Sequence, residues 1–313
     1  MSAAPGGRPP DGTRSVEQVF IVGLPRTGST LTRAILNRSP LVRISGETHF
    51  LAPRSRFGRR RRYGYGERLI SQADLTTDDG LQCVVDAIYR ERGKSFWSRL
   101  AACVERPTLE ALVRSAERTP RGLFDAAMRA FAGDRPVRGD KTPEHVFSVP
   151  TLMEWFPRAR VIHTFRDPRA IHVSLRRKEQ IDRLGPVARL IRRTGPLAEL
   201  YVASTVAVDW RRMAKLHRRY AATYPGRYRL VRFEDLLADP ERVTRELCEF
   251  VNVPFQAEML EQEVLNSSFR PQRGQAGIDA GAAERWRHHL SPIARWWIEL
   301  WCRRELAAFG YGQ

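Results

Sequence analysis

The stretch VFIVGLPRTGST, residues 19–30, predicts a buried strand that runs into a glycine turn and then a helix. Val19 to Val22 is a short β-branched and aromatic run, and an apolar stripe at helical spacing follows the turn. Gly23 and Gly28 have the separation found in the nucleotide-binding P-loop, G-x-x-x-x-G-K-[ST], but Ser29 stands where the lysine belongs. The loop therefore predicts a phosphate cradle that would hold a triphosphate poorly.

The residues of this loop are suited to an anion of some other kind. Backbone N–H groups at a helix start attract any anion. Gly28 permits close approach of the backbone, Ser29 and Thr30 add hydroxyl donors, and Arg26 brings a positive fork from within the loop. The alternative is an ordinary strand–turn–helix in which the glycine serves only the geometry.

The charge of the chain predicts an anionic partner without naming its class. The 313 residues carry a formal net charge of +18, and the isoelectric point is near 10.8. Because the basic residues are spread along most of the chain, the excess suits nucleic acid, an anionic membrane or an acidic small substrate equally well.

Location and compartment follow from three observations. The four cysteines are far apart with no C-x-x-C pair, which predicts reduced, mostly buried thiols. Residues 1–15 are rich in Gly, Pro and small polar residues and are predicted to form a disordered tail. No stretch approaches the roughly 18 apolar residues of a transmembrane helix. We therefore expect a cytoplasmic protein without a transmembrane segment.

The order of the predicted elements favours an α/β fold. Strands at VRIS, RPVRG, RVIHTF and YRLVRF alternate with helical segments, which is typical of βαβ units. We expect a P-loop-like parallel sheet flanked by helices on both faces, with a helical insertion over about residues 54–136. Residues 16–313 are predicted to form one domain, with ligands bound beyond the carboxyl ends of the strands.

A second strand–turn–helix, RVIHTFRDPRAIHVS, predicts a second anion site. Pro168 directly follows Asp167, so this carboxylate is placed to cap a helix and not to bind magnesium. Arg166 at the strand end and Ser174 on the helix would then offer ligands to a second phosphate. Two such sites without a lysine or an obvious metal-binding carboxylate suit a nucleotide with phosphates at separate positions.

The ordered set of motifs resembles the sulfotransferase family. GLPRTGSTLTRAIL is similar to its 5′-phosphosulfate loop and FRDPRAIHVS to its 3′-phosphate motif. GDKTPEH followed by FPRARVIH has the spacing of tyrosylprotein sulfotransferases and their bacterial relatives, and VRFEDLLADPERVTRELCEFVNVP and LAAFGY also fit. The resemblance runs from Val19 to Tyr311, interrupted from Arg54 to Pro136. It implies transfer of a sulfuryl group from 3′-phosphoadenosine 5′-phosphosulfate to a hydroxyl acceptor, with no metal.

The resemblance also implies roles for single residues. Arg26 would contact the sulfate and the leaving phosphate, and Thr27 to Thr30 would wrap the 5′-phosphate. Lys141 in GDKTP matches a lysine that faces the sulfuryl group from the opposite side; a solvated loop lysine is the alternative. Arg166 and Ser174 match the ligands of the 3′-phosphate.

Further contacts to the nucleotide are implied near the end of the chain. Phe233 stands where relatives often have a tyrosine beside the adenine, although a core position is equally compatible with its ring. Ser268 and Arg273 belong to NSSFRPQRG, residues 266–274, where the family often closes a loop over the nucleotide. A merely solvated Arg273 is the alternative.

Two candidates for the catalytic base stand just past the second predicted strand, in SGETHF. Glu47 and His49 are two residues apart on an extended segment and would point to the same side, so geometry does not separate them. The resemblance favours Glu47, which lies at the same distance from Arg26 as the catalytic glutamate of tyrosylprotein sulfotransferases. The alternative for Glu47 is an ion pair with nearby arginines.

Two surface features allow more than one interpretation. The run Arg59 to Arg62 is a solvated surface or steers an acidic acceptor toward the site. Trp296, Trp297 and Trp301 are predicted to pack the last helix onto the domain, with a membrane-facing helix as the alternative.

Two other functional classes stay open on sequence grounds. A P-loop kinase or nucleotide hydrolase is opposed by Ser29 in the lysine position, and a nucleic-acid-binding protein is supported by charge alone. For a sulfotransferase the acceptor would be tyrosine, carbohydrate, lipid or a small metabolite. No specific nucleic-acid partner is expected, and a homodimer is possible.

Overall fold

The computed structural model describes residues 16–51, 64–176, 195–261 and 280–312. Within these ranges five strands form one parallel sheet in the order β2-β3-β1-β4-β5. In chain order the strands are β1 (Gln18–Gly23), β2 (Val42–Ser45), β3 (Val137–Lys141), β4 (Arg160–Phe165) and β5 (Tyr228–Arg232). Because all five run in the same direction, their carboxyl ends meet at one edge of the sheet.

Helices connect the strands. Their bounds are α1 (Ser29–Asn37), α2 (Tyr65–Ile70), α3 (Asp78–Arg90), α4 (Phe96–Cys103), α5 (Arg106–Ser115), α6 (Pro120–Ala132), α7 (Val149–Trp155), α8 (Pro168–Leu175), α9 (Pro196–Thr223), α10 (Phe233–Ala238), α11 (Pro240–Val251) and α12 (Pro292–Ala308). Short 3-10 helices cover Pro143–Ser148, Ala257–Leu260, Ala280–Ala283 and Arg285–His288.

Both faces of the sheet are buried, which explains the unbroken apolar run of β1. Phe20 and Val22 belong to a core cluster formed with the helical insertion, α7, α8, α9 and α12. Val19 and Ile21 belong to a second cluster, formed on the other face with α1 and α11. Each fully buried side chain of this size contributes about 1.5–3 kcal/mol relative to an exposed one. The predicted α/β fold, a parallel sheet with helices on both faces, is confirmed.

The predicted helical insertion is confirmed in its described part, where α2 to α6 lie between β2 and β3. The insertion packs on the sheet through α6, which contacts β2 and β3. Phe124 of α6 stacks on Phe50, with ring centroids 4.5 Å apart. Since Phe50 lies just beyond β2, this stack ties the insertion to the loop that carries Glu47.

Two helix caps were correctly predicted from Asp-Pro pairs. The Asp167 carboxylate accepts a hydrogen bond of 2.8 Å from the backbone N–H of Arg169, and the Asp239 carboxylate accepts one of 3.1 Å from that of Arg242. The predicted strand YRLVRF is one residue too long, because Phe233 begins α10.

The prediction that most cysteines are buried was wrong, and the prediction that the tryptophans pack the last helix onto the domain holds only in part. The four cysteines are free thiols, but Cys83 and Cys103 are exposed. In α12 the residues that pack inward are small or aliphatic: Ala294, Ile298, Cys302 and Leu306. Of the three tryptophans only Trp297 packs onto the domain, where its indole N–H donates to Ser204 Oγ at 2.9 Å, while Trp296 and Trp301 are exposed.

Several predictions lie outside the described residues. They are the tail 1–15, the first part of the insertion with Arg59 to Arg62, and the segment with Ser268 and Arg273. Across the described ranges no helix is long and apolar enough to cross a membrane. The interpretation of residues 16–313 as one domain stays a prediction.

Candidate active site

The phosphate cradle lies between β1 and α1, where two residues adopt positive φ. Gly28 has φ 90° and precedes the first residue of α1, and Arg26 has φ 75°. A Cβ at position 28 would lie 2.4 Å from a ring carbon of Phe233. Position 28 therefore requires glycine for two reasons, the positive φ and the close approach of the Phe233 ring. Because glycine provides no capping side chain, the N–H groups of the first turn of α1 are suited to an anion.

The hydroxyl residues of the cradle, Thr27, Ser29 and Thr30, lie in different environments. The Thr27 hydroxyl donates to the Leu24 carbonyl at 2.7 Å and lies 2.8 Å from Thr164 Oγ1, so this side chain braces the loop against β4. Ser29 is buried at the start of α1, and Thr30 is half-buried and lines a large cavity. The structure thus leaves only the backbone of Thr27 for the 5′-phosphate contact that the resemblance implies.

The residues predicted to bind the 3′-phosphate lie directly beside the cradle. Arg26 Nε donates to Ser174 Oγ at 2.7 Å, and Arg166 Nη1 donates to the Arg26 carbonyl at 3.2 Å. The Arg166 guanidinium also lies over the Phe233 ring, 4.3 Å from its centroid. Burial lowers the pKa of Arg166 from its ordinary high value. The structure therefore brings together Arg26, Arg166, Ser174 and Phe233, residues that are far apart in sequence.

The half-buried carboxylate of Glu234 supports the loop that carries Arg166 and Asp167. Glu234 Oε1 accepts from the backbone N–H of Asp167 at 3.0 Å, and Glu234 Oε2 accepts from the Tyr311 hydroxyl at 2.8 Å. Arg169 forms an ion pair of 2.8 Å with Asp167. Sequence reasoning assigned no role to Glu234 or Tyr311, although both belong to motifs that carried the family resemblance.

The predicted catalytic lysine and glutamate are in contact. Lys141 Nζ donates to Glu47 Oε1 at 2.6 Å; the lysine is buried and the glutamate side chain is 43% exposed. Burial alone would raise the pKa of Glu47, but the hydrogen bond from His49 and the charge of Lys141 outweigh it and lower this pKa to about 2. Glu47 is therefore fully ionised at neutral pH.

His49 belongs to the same group of charges. Its Nε2 lies 3.4 Å from Glu47 Oε2, and its Nδ1 lies 3.8 Å from a carboxylate oxygen of Glu144. The hydrogen bond to Glu47 raises the pKa of His49 although burial opposes this change. The structure thus places both base candidates at one point, and it favours the protonated form of His49.

A buried network around Asp140 positions Glu47 relative to Lys141. Asp140 Oδ1 accepts from the backbone N–H of Thr48 at 3.2 Å and from the Thr142 hydroxyl at 3.0 Å. His145 Nδ1 lies 2.8 Å from Asp140 Oδ2. The backbone N–H of Thr48 also donates to Thr142 Oγ1 at 3.0 Å. Three of these residues belong to GDKTPEH, from which sequence reasoning named only Lys141.

A cavity of about 1070 Å³ opens beside this pair. Glu47, Lys141 and Thr30 line one side, at the carboxyl ends of the strands. The helical insertion supplies the opposite wall, where Tyr65 stacks on Trp97 with ring centroids 4.6 Å apart. The site can therefore hold a second molecule next to the phosphate cradle, which is the arrangement that a group-transfer reaction needs.

Two of the predicted site residues, Ser268 and Arg273, lie outside the described residues. In the described part of the chain there is no cluster of three or more His, Cys, Asp or Glu side chains suited to a metal ion.

Comparison with known proteins relates this chain to enzymes with three kinds of acceptor. It is 29% identical over 243 residues to the omega-hydroxy-beta-dihydromenaquinone-9 sulfotransferase Stf3 of Mycobacterium tuberculosis, covering 73% of this chain and 61% of that protein. It is 29% identical over 160 residues to mouse carbohydrate sulfotransferase 1, covering 49% and 38%. A putative protein-tyrosine sulfotransferase of Caenorhabditis briggsae is 24% identical over 255 residues, covering 79% and 69%.

The chain thus spans less than two thirds of the length of the mouse and mycobacterial relatives. Among solved structures, the sulfotransferase domain from the curacin biosynthetic pathway has the same fold, with a TM-score of 0.56 at 20% identity and coverage of 93% and 98%. The family model described as the sulfotransferase family matches residues 18–257. This match takes in the cradle, the Lys141–Glu47 pair and the second anion site, and the chain therefore belongs to the sulfotransferase family.

Proposed function

We propose that this protein transfers the sulfuryl group of 3′-phosphoadenosine 5′-phosphosulfate to a hydroxyl acceptor. The observation that carries the proposal is the 2.6 Å contact between Lys141 and Glu47 at the mouth of a large cavity, beside a phosphate cradle without the P-loop lysine. Membership in the sulfotransferase family supports the same reaction.

The two anion sites fit this nucleotide. The uncapped first turn of α1 with Gly28 would hold the 5′-phosphate, and Arg166 and Ser174 would hold the 3′-phosphate. Phe233 lies beside both sites, where its ring would contact the base. When bound, the nucleotide would supply the sulfuryl group, with 3′,5′-adenosine diphosphate as the leaving group.

Glu47 accepts the proton of the acceptor hydroxyl in this mechanism. Lys141 and Arg26 stabilise negative charge at the sulfuryl group and at the leaving oxygen. A general base works best when its pKa is near the operating pH, so Glu47 with a pKa of about 2 is a weak base while Lys141 holds it. An anionic group that attracts Lys141 would weaken this ion pair and raise the basicity of Glu47.

His49 is the less suitable base. Its hydrogen bond to Glu47 raises the pKa of His49, so the ring is a donor to Glu47 more often than a free histidine would be, and the family resemblance gives no counterpart to it as a base. We therefore assign the base to Glu47 and a supporting role to His49.

Two measurements test the proposal. Calorimetry without metal should show tight binding of 3′,5′-adenosine diphosphate, and mass spectrometry should show the gain of one SO₃ unit on a member of an acceptor panel of tyrosine peptides, carbohydrates, lipids and small metabolites. Greater thermal stabilisation by ATP with magnesium than by 3′,5′-adenosine diphosphate would instead support the kinase or hydrolase alternative. The cytoplasmic location and the homodimer stay predictions.

A further inference from the structure

The cavity beside Glu47 and Lys141 has an excess of positive charge. Six of its lining residues are basic, Arg33, Arg43, Arg68, Lys94, Arg99 and Lys141, whereas two are acidic, Glu47 and Glu91. Lys141 is paired with Glu47, but Arg33, Arg43, Lys94 and Arg99 form no ion pair with any described residue. No carboxylate of the described residues therefore pairs directly with these four cations, although Glu47 and Asp140 lie near enough to raise the pKa of Arg33.

Two of these arginines, Arg33 and Arg99, both reach Gly46. A Cβ on Gly46 would lie 2.8 Å from Arg99 Nη2 and 3.3 Å from Arg33 Nη1, so both guanidinium groups occupy the space above this glycine. The Arg33 Nε is buried and lacks a hydrogen-bond partner among the residues that the structure describes. Burial lowers the pKa of Arg33, and the charge of Arg99 lowers it further. Two like charges held this close favour an anion between them.

A second cavity shows that such unpaired charge is not general in this protein. This cavity, of about 530 Å³, lies at the opposite edge of the sheet and is lined by four arginines and three carboxylates. There Arg138 forms an ion pair of 3.0 Å with Asp125, and Arg158 one of 2.5 Å with Glu17. Three of the four arginines of that cavity are thus paired with its own carboxylates, whereas neither arginine at Gly46 forms an ion pair with a described residue.

We propose that Arg33 and Arg99 form an anion subsite for the acceptor, so that the acceptor carries a carboxylate, sulfate or phosphate close to its reacting hydroxyl. This inference rests on the proposed function. Gly46 is adjacent in sequence to Glu47, so an anion held there lies next to the group that takes the proton. Arg33 is one helical turn beyond Ser29 and points toward Gly46, on the acceptor side of the cradle. The subsite therefore selects the acceptor.

The test is a binding titration of protein saturated with 3′,5′-adenosine diphosphate, which occupies the nucleotide sites and requires no turnover. The probes are two matched pairs, glucuronate with glucose, and 4-hydroxyphenylacetate with 2-(4-hydroxyphenyl)ethanol. A charge-assisted hydrogen bond contributes enough for the charged member of a pair to bind about tenfold or more tightly. The pair with the larger difference shows whether the anion belongs to a sugar or to a phenol.

Three variants complete the test: Arg33→Gln, Arg99→Gln, and Arg219→Gln as a control that removes an exposed charge from α9, outside the cavity. We expect the preference for the anion to be lost in the first two and retained in the third, with unchanged affinity for 3′,5′-adenosine diphosphate in all. Equal affinity for charged and neutral probes, or an equal effect of all three substitutions, would overturn the subsite. Failure of the wild type to bind 3′,5′-adenosine diphosphate would instead overturn the proposed function.

Discussion

The two halves of the candidate site are built differently. In the nucleotide half, Arg26 hydrogen-bonds to both Ser174 and Arg166, and the three residues belong to two contiguous motifs. In the acceptor half, the lining residues include members of α1, β2, α2 and α4, and Arg33, Lys94 and Arg99 form no ion pair with a described residue. A site for one fixed ligand can hold its side chains in place through hydrogen bonds to each other. In a site that selects among ligands, the charged side chains are instead paired by the ligand.

Substitution of Glu47, the proposed general base, tests this contrast with the largest expected effect. Glu47→Gln should lower turnover by roughly 10²- to 10⁴-fold, because the acceptor hydroxyl then loses the group that takes its proton. Affinity for 3′,5′-adenosine diphosphate should stay unchanged, and His49→Ala should retain much more activity. Steady-state kinetics and calorimetry on the three proteins measure both quantities. The opposite ranking of the two variants would move the base to His49.

Lys141 lies between the nucleotide half and the acceptor half, so its substitution should change both the transfer rate and the pKa of Glu47. Lys141→Ala should slow transfer by about 100-fold or more, since a preorganised positive charge at the sulfuryl group is lost. The same change should raise the pKa of Glu47 from its value of about 2, because the charge of Lys141 helps to lower it. Single-turnover rates and the acid limb of the pH profile measure the two effects. Near-normal turnover would exclude Lys141 from catalysis.

Arg166 separates nucleotide affinity from acceptor affinity. Arg166→Ala should weaken binding of 3′,5′-adenosine diphosphate by about 10- to 100-fold, the effect of losing charge-assisted hydrogen bonds to a phosphate. Arg99→Gln, on the acceptor side, is the matched control and should leave this affinity unchanged. Calorimetry without added metal measures both. Equal affinities of Arg166→Ala and the wild type would remove the assignment of the 3′-phosphate.

Acidic pH should lower the stability of the folded protein through His172, a buried histidine of α8. Burial lowers the pKa of His172 to about 3, below the ordinary value near 6.5 in the unfolded chain. The unfolded chain therefore binds more protons below about pH 6.5, and stability that is complete above this pH is lost as the pH falls toward 3. At pH 5 the loss is about 2 kcal/mol for one such histidine.

The check on this expectation is thermal unfolding at pH 7 and pH 5. The melting temperature of the wild type should fall between these two values, and that of His172→Leu should fall less, because the leucine does not titrate. His49 does not contribute to this loss, since its pKa is raised by Glu47. An identical fall in both proteins would show that His172 is protonated in the folded state without cost.

The same contrast explains what the sequence could predict. β1, the cradle and the Asp167 cap follow from contiguous residues whose spacing and conformation are local, so their positions were predictable. Lys141 was assigned from its place in GDKTP and Glu47 from its distance to Arg26, both through the family resemblance. The Arg33–Arg99 pair is not local, because it forms only when α4 of the insertion packs beside α1.

The last helix packs onto the domain as predicted, but not through Trp296 and Trp301. Ala294, Ile298, Cys302 and Leu306 recur every four residues and form the buried stripe of α12. The tryptophans form a second apolar stripe beside it, and a helix with two apolar stripes has no single inward face that spacing alone identifies. Small and aliphatic side chains occupy the buried stripe, on which α12 packs against α9.

The hydrogen bonds that run through Arg26 have one more consequence. Its side chain holds Ser174, and its carbonyl is held by Arg166, so the cradle and the second anion site keep a fixed separation. Recognition of a nucleotide with a 3′-phosphate and a 5′-phosphate then depends on the distance between these two groups and not on the number of phosphates. A linear triphosphate, however highly charged, would occupy the cradle and leave the site formed by Arg166 and Ser174 empty.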